Sequence, residues 1–208
     1  MSLLVCTPDA AVADIPTNDC IERIGQVQKF GLQRTKNAGA INWIPVGDTG
    51  LLATWNALKA ATDSTKVQFT PYIVGPEFEP GEKREAGGGN NSVGGVPTVI
   101  GRNFTQFSAM FEDVKQSIIK AIKSYEKETE LSVFLVNEHG QVIGLVDNVD
   151  SPTQFRGIPI RSFFVSDKKI GGFEDTDKNN VSWGFVPNWS DNLAITVPSD
   201  FDALTQLS

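Results

Sequence analysis

The chain has 208 residues, 40% of them hydrophobic and 21% charged, with a formal net charge of -7. A chain of this size should bury about 70% of its unfolded surface, so a core can form without disulfide or metal staples. Six acids (Glu174, Asp175, Asp177, Asp191, Asp200 and Asp202) stand against Lys178 alone from residue 173 to the end, a balance that repels phosphate and argues against tight nucleic-acid binding.

Residues 1–20 predict an irregular N-terminal arm, because Pro8 and Pro16 discourage regular structure. The arm holds both cysteines, Cys6 and Cys20, and a chain this long does not need them paired. It lacks the basic segment and apolar run of a secretion signal. No apolar stretch approaches the ~20 residues that span a bilayer. These features predict a water-soluble protein of a reducing cytosol, with no membrane partner.

Residues 21–208 predict one β-rich domain. Ile24–Arg34 alternates imperfectly, as a strand with one irregularity would. Asp48 or Thr49 is placed to cap a short helix carrying Leu51, Leu52, Trp55, Leu58 and Ala61 on one side. Val67–Val74, rich in β-branched and aromatic residues, predicts a strand. An extended polar loop, 77–102, follows, with Gly87, Gly88, Gly89, Gly94 and Gly95 close together and Asn90 and Asn91 between them. Phe107, Met110, Phe111, Val114, Ile118, Ala121, Ile122 and Tyr125 then recur at helical spacing, which predicts one central amphipathic helix. Glu112 and Asp113 would complement its positive N-terminal end. Leu131–Val136 and Gln141–Asp147 flank Asn137-Glu138-His139-Gly140 and read as a hairpin. Ile158–Val165 is a further strand, Asp167–Asn180 a polar loop, and Val181–Pro187 and Leu193–Val197 closing strands. The fold class is therefore α+β, mostly β, a sandwich or barrel of about seven or more strands.

Catalytic chemistry finds little support. A P-loop needs Lys after its last glycine, but Gly95 is followed by Val96 and Pro97. Asp175-Thr176-Asp177-Lys178-Asn179 opens like an EF-hand loop, yet Asn180 takes the sixth position and Val186 the twelfth. His139, the only histidine, falls in a hairpin turn, far from the setting of a general base. The cysteines have neither CxxC spacing nor a neighbouring His. The chain thus reads as a non-enzyme with no cofactor and no metal. Trp183, Phe185, Trp189 and Phe173 lie close in sequence and predict core or subunit-interface packing more readily than a ligand platform.

A polar arm, strands, a long inter-strand loop, one central helix, a hairpin and closing strands resemble the major tail (tube) proteins of long-tailed phages. The segments IGQVQKFGLQR, EPGEKREAGGGNNSVGGVPTVIGR, IPIRSFFVSDK and WGFVPNWSD look like those of virion structural proteins from Bacteroidetes phages and prophages. The resemblance implies a subunit that forms hexameric rings, stacked into a tube through which DNA passes without being tightly bound. Its partners would be further copies and other tail proteins, its place the virion tail, and its site of assembly the cytoplasm of the bacterial host. The ring-stacking element would then be the loop residues Glu82, Lys83, Arg84, Glu85, Gly87, Gly88, Gly89, Asn90, Asn91, Gly94 and Gly95. Two alternatives stand beside this: another virion role, in head decoration or head–tail joining, and a monomeric glycan- or small-ligand-binding β domain using Trp183 and Trp189.

Overall fold

The computed structural model describes residues 23–207; the predicted N-terminal arm, with Cys6 and Cys20, lies outside the described residues. In chain order the elements are β1 (Val27–Arg34), β2 (Lys36–Asn37), β3 (Ala40–Ile41), β4 (Ile44–Pro45), α1 (Leu52–Ala60), β5 (Val67–Phe69), β6 (Val74–Glu79), β7 (Lys83–Ala86) and β8 (Thr98–Arg102). They continue as β9 (Thr105–Glu112), α2 (Gln116–Lys123), β10 (Leu131–Asn137), β11 (Val142–Val146), β12 (Gln154–Arg156), β13 (Ile158–Val165), β14 (Lys178–Phe185), β15 (Leu193–Thr196) and α3 (Ala203–Gln206). The fold is mostly β, built on one large curled antiparallel sheet. No helix among the described residues is long and apolar enough to cross a membrane.

Six strands run antiparallel in the order β1-β10-β13-β14-β9-β6. The chain entering β6 then returns to the start, since Thr70 N–H donates to the Phe30 carbonyl (2.8 Å) and Ile73 N–H to that of Gln28 (2.9 Å). The sheet therefore curls round on itself, and its interior is packed with aromatic side chains. Phe30, Phe107, Phe111, Phe163, Trp183 and Phe185 all belong to this first core. Strand β10 explains why a second core exists. All seven of its residues are buried, and successive side chains of a strand point to opposite faces. Val133 and Leu135 enter the first core, while Phe134 and Val136 enter a second one with Trp55, Phe155, Ala203 and Leu207. Strand β11 pairs with the end of β10 and carries β12 and β15 on its own edges, extending the sheet over this second core.

The predicted hairpin 131–147 and the strand 158–165 form as expected, and β1 carries its irregularity as a register shift between Val27 and Lys29. Other expectations are corrected. The helical stripe 107–125 divides, because Thr105–Glu112 is a strand and the helix is only Gln116–Lys123 with a 3-10 turn after it. Phe107 and Phe111 fit periods of both 2 and 3.6, and it is the burial of Ala109 between them that follows the strand alternation. Glu112 and Asp113 consequently do not sit at a helix N-terminus: Glu112 pairs with Lys178 (3.4 Å), and the Asp113 carboxylate accepts from Asp177 N–H (3.2 Å). Helix α1 is capped from elsewhere in the chain, its Leu52 N–H donating to Asp200 Oδ1 at 2.8 Å. Thr49, instead of capping, is buried, and its carbonyl accepts from Trp55 Nε1 (2.8 Å). The strand predicted over Val67–Val74 breaks into β5 and the start of β6, with Pro71, which has no N–H to give a ladder, in the gap. The polar loop 167–180 ends early, at the start of β14.

The β11–β12 connection closes on one carboxylate. Asp147 accepts from Thr153 Oγ1 (2.6 Å), Thr153 N–H (3.0 Å) and Gln154 N–H (3.0 Å). The Thr153 hydroxyl, then the two backbone donors, hold this carboxyl below the usual carboxylate range. A carboxyl depressed by folding contributes stability above its ordinary value of 3.8 and loses it as pH falls through the lower folded-state value. The Asp147→Ala chain should thus be less stable than the parent at about pH 7, with the difference shrinking below about pH 4. Urea midpoints of both chains across that range test this, and a constant difference would refute it.

Candidate assembly interface

The segment predicted as an irregular loop over 77–102 is largely regular. Strand β6 continues through Glu79, which pairs with Gln106 of β9. Beyond it, β7 and β8 pair only with each other, from Lys83↔Arg102 to Ala86↔Thr98, and form a hairpin arm standing off the main sheet. At the arm's root the Asn103 N–H donates to the Glu82 carbonyl (2.8 Å), and a Cβ on Gly81 would lie 2.0 Å from the Asn103 carbonyl oxygen. Only glycine allows the two backbone segments to meet there. Arg102 Nη1 reaches Asn188 Oδ1 at 3.3 Å, tying the root to the body.

The predicted stacking residues lie on this arm, apart from Glu82, which is at its root. Lys83 and Glu85 pair with each other (2.6 Å), and Arg84 is exposed beside them. At the tip Gly87, Gly88, Gly89, Gly94 and Gly95 all take positive φ, a conformation that other residues adopt only under strain. Asn90 and Asn91 fall in a 3-10 turn, and Ser92 Oγ accepts from Gly88 N–H (2.7 Å) to close the tip. Every residue of β7 and β8 is exposed. The polar residues singled out from the sequence omit the apolar ones beside them: Val93 is 104% exposed, Val96 69%, and Val99 and Ile100 are exposed as well. Four apolar side chains within a polar, glycine-rich stretch were the available signal. The paired strands carry Lys83, Arg84 and Arg102 against Glu85 alone, a positive shaft on a chain of net charge -7.

The aromatic cluster near the C-terminus assembles in part. Trp183 and Phe185 are buried in the first core. Trp189, half-buried, stacks on Phe185 with centroids 4.4 Å apart and donates from Nε1 to Thr105 Oγ1 (3.2 Å). Phe173 stays apart from them and is fully exposed, since its loop precedes the start of β14. With Trp183 only 1% exposed, its ring is not available as a stacking platform.

His139 sits in the β10–β11 turn, exposed, with Glu138 Oε1 3.7 Å away. The EF-hand-like acids face protein donors. Asp175 pairs with Lys178 (2.7 Å), and Asp177 accepts from Gly171 N–H and Lys168. The Lys178 contact is the main cause holding the Asp175 carboxyl low, and the Gly171 N–H does the same for Asp177. Among the described residues no three His, Cys, Asp or Glu side chains gather in a way that could hold a metal ion. The outstanding surface feature is the arm. No family model, curated protein or solved structure matches this chain.

Proposed function

We propose that this chain is a virion structural subunit of the tail-tube type, one that works by assembling with copies of itself. The observation that carries the reading is the hairpin arm Lys83–Arg102, exposed along both strands and tipped with apolar residues. A hairpin with two free edges and solvent-facing valines is a liability on a monomer and an asset in a repeated contact. In this reading the ring is hexameric, as the resemblance implies, and the arm reaches the next ring of the stack. DNA passes through the tube without tight binding, in keeping with a net charge of -7. Other tail proteins complete the virion tail.

The test is negative-stain electron microscopy of the purified chain over a concentration series, with the mass in solution measured alongside. Rings or tubes of uniform width, with mass rising with concentration, are the expected result. A monomer at every concentration would overturn the proposal and favour a ligand-binding β domain.

A further inference from the structure

The arm of one copy requires a receiving surface on the next. We infer that this surface is the cleft between α2 and the segment Phe69–Pro71. The inference rests on the self-assembly reading and adds to it the acceptor. The cleft holds about 370 Å³ and is lined by Leu32, Phe69, Pro71, Ile118, Ala121 and Tyr125 among others, none of them charged. Four further clefts of the molecule each include at least one acid: Glu79 and Glu82, Glu126 to Glu130, Asp63 and Glu128, and Glu77. The arm from Gly87 to Gly101 is likewise free of charge. Burying valines against a carboxylate would strip water from the acid without giving it a partner, so an uncharged tip selects the uncharged cleft. Its volume falls in the range of roughly 300–1,000 Å³ that accommodates small apolar groups elsewhere.

Position supports the same pairing. The arm leads into the first residue of β9, Thr105, whereas α2 follows its last, Glu112. At roughly 3.3 Å per residue these two ends are about 23 Å apart. Helix α2 buries Ile119 and Ile122 in the first core and leaves Ile118 exposed at the cleft. An outgoing element at one end and its acceptor at the other make a head-to-tail contact, which propagates from copy to copy instead of closing as a dimer.

The test uses two populations of full-length chain in which Cys6→Ser and Cys20→Ser remove the native thiols. One carries Val96→Cys and the other, distinguished by a mass tag, Ile118→Cys. Mixed under assembly conditions and treated with a short bis-maleimide, they should give a crosslinked heterodimer. Val149→Cys, exposed on a different loop, should give none in place of Ile118→Cys. As a second measure, Ile118→Asp should fold as the parent does yet raise the concentration needed for assembly about 10-fold or more. Assembly without the Val96–Ile118 crosslink would overturn the cleft while leaving self-assembly standing. A parent chain that never assembles would overturn both.

Discussion

Trp183→Ala should lower the stability of the chain by about 3–5 kcal/mol, the largest loss expected of any single substitution considered. The ring lies in β14 with 1% of its surface exposed. It stacks on Phe107 at 4.0 Å, meets Phe30 edge-on at 4.8 Å and faces Phe163 at 6.1 Å. These partners come from β9, β1 and β13, so one side chain ties four of the strands around the curled sheet. Its removal leaves a cavity that aromatic neighbours held by separate strands can fill only in part. Domains are commonly stable by about 5–15 kcal/mol, so the loss is a large share of the total. The indole Nε1 has no hydrogen-bond partner among the described residues, so Trp183→Phe, which keeps the stacking, should cost clearly less. Urea unfolding of the three chains measures both differences. A Trp183→Ala cost under about 1 kcal/mol would mean that the sheet does not pack around this ring.

Replacing residues 87–97 by Asn-Gly should leave the fold intact and abolish assembly. The last pair of the arm, Ala86↔Thr98, would then flank a two-residue turn of the kind that closes hairpins well. Nothing buried is lost, since Val93 and Val96 are exposed and the tip's Gly88–Ser92 contact is internal to the segment removed. The melting temperature should therefore move by no more than a few degrees, the shift that about 1 kcal/mol produces in a chain of this length. The tip's apolar side chains, in contrast, are gone. Tubes built by the truncated chain would remove the arm from the account of assembly, whereas a collapsed melting temperature would show that it supports the fold.

Legibility of the chain divides by the range of the interaction. The hairpin around Asn137–Gly140 was readable because a polar turn ending in glycine between two apolar runs is a local pattern; Gly140 takes φ 71 in the structure. Strand β13 was readable in extent, but its bulge was not. There Ser162 adopts φ 54, Phe163 turns inward and Phe164 is exposed. The segment 105–112 is ambiguous in sequence because its two phenylalanines satisfy both periods, and pairing with β14 on one edge and β6 on the other chose the strand. The cap of α1 is not legible locally because its acceptor, Asp200, lies 148 residues away. For the arm, the sequence marked the segment and its glycines, and only the structure paired Lys83–Ala86 with Thr98–Arg102 and left the valines outside.

By itself the amino-acid sequence determined a β-rich chain, the place of helix α1, most of its long strands and a long glycine-rich segment between two of them. Those follow from side-chain period, turn chemistry and composition, which neighbours in sequence suffice to express. The tertiary structure alone decided that the sheet closes on itself through Thr70 and Ile73, that β10 is buried on both faces, and that α2 and Phe69–Pro71 line a cleft free of charged side chains. Each depends on which distant strand or carboxylate completes a hydrogen bond or covers an apolar face, and the order of residues along the chain does not record that choice.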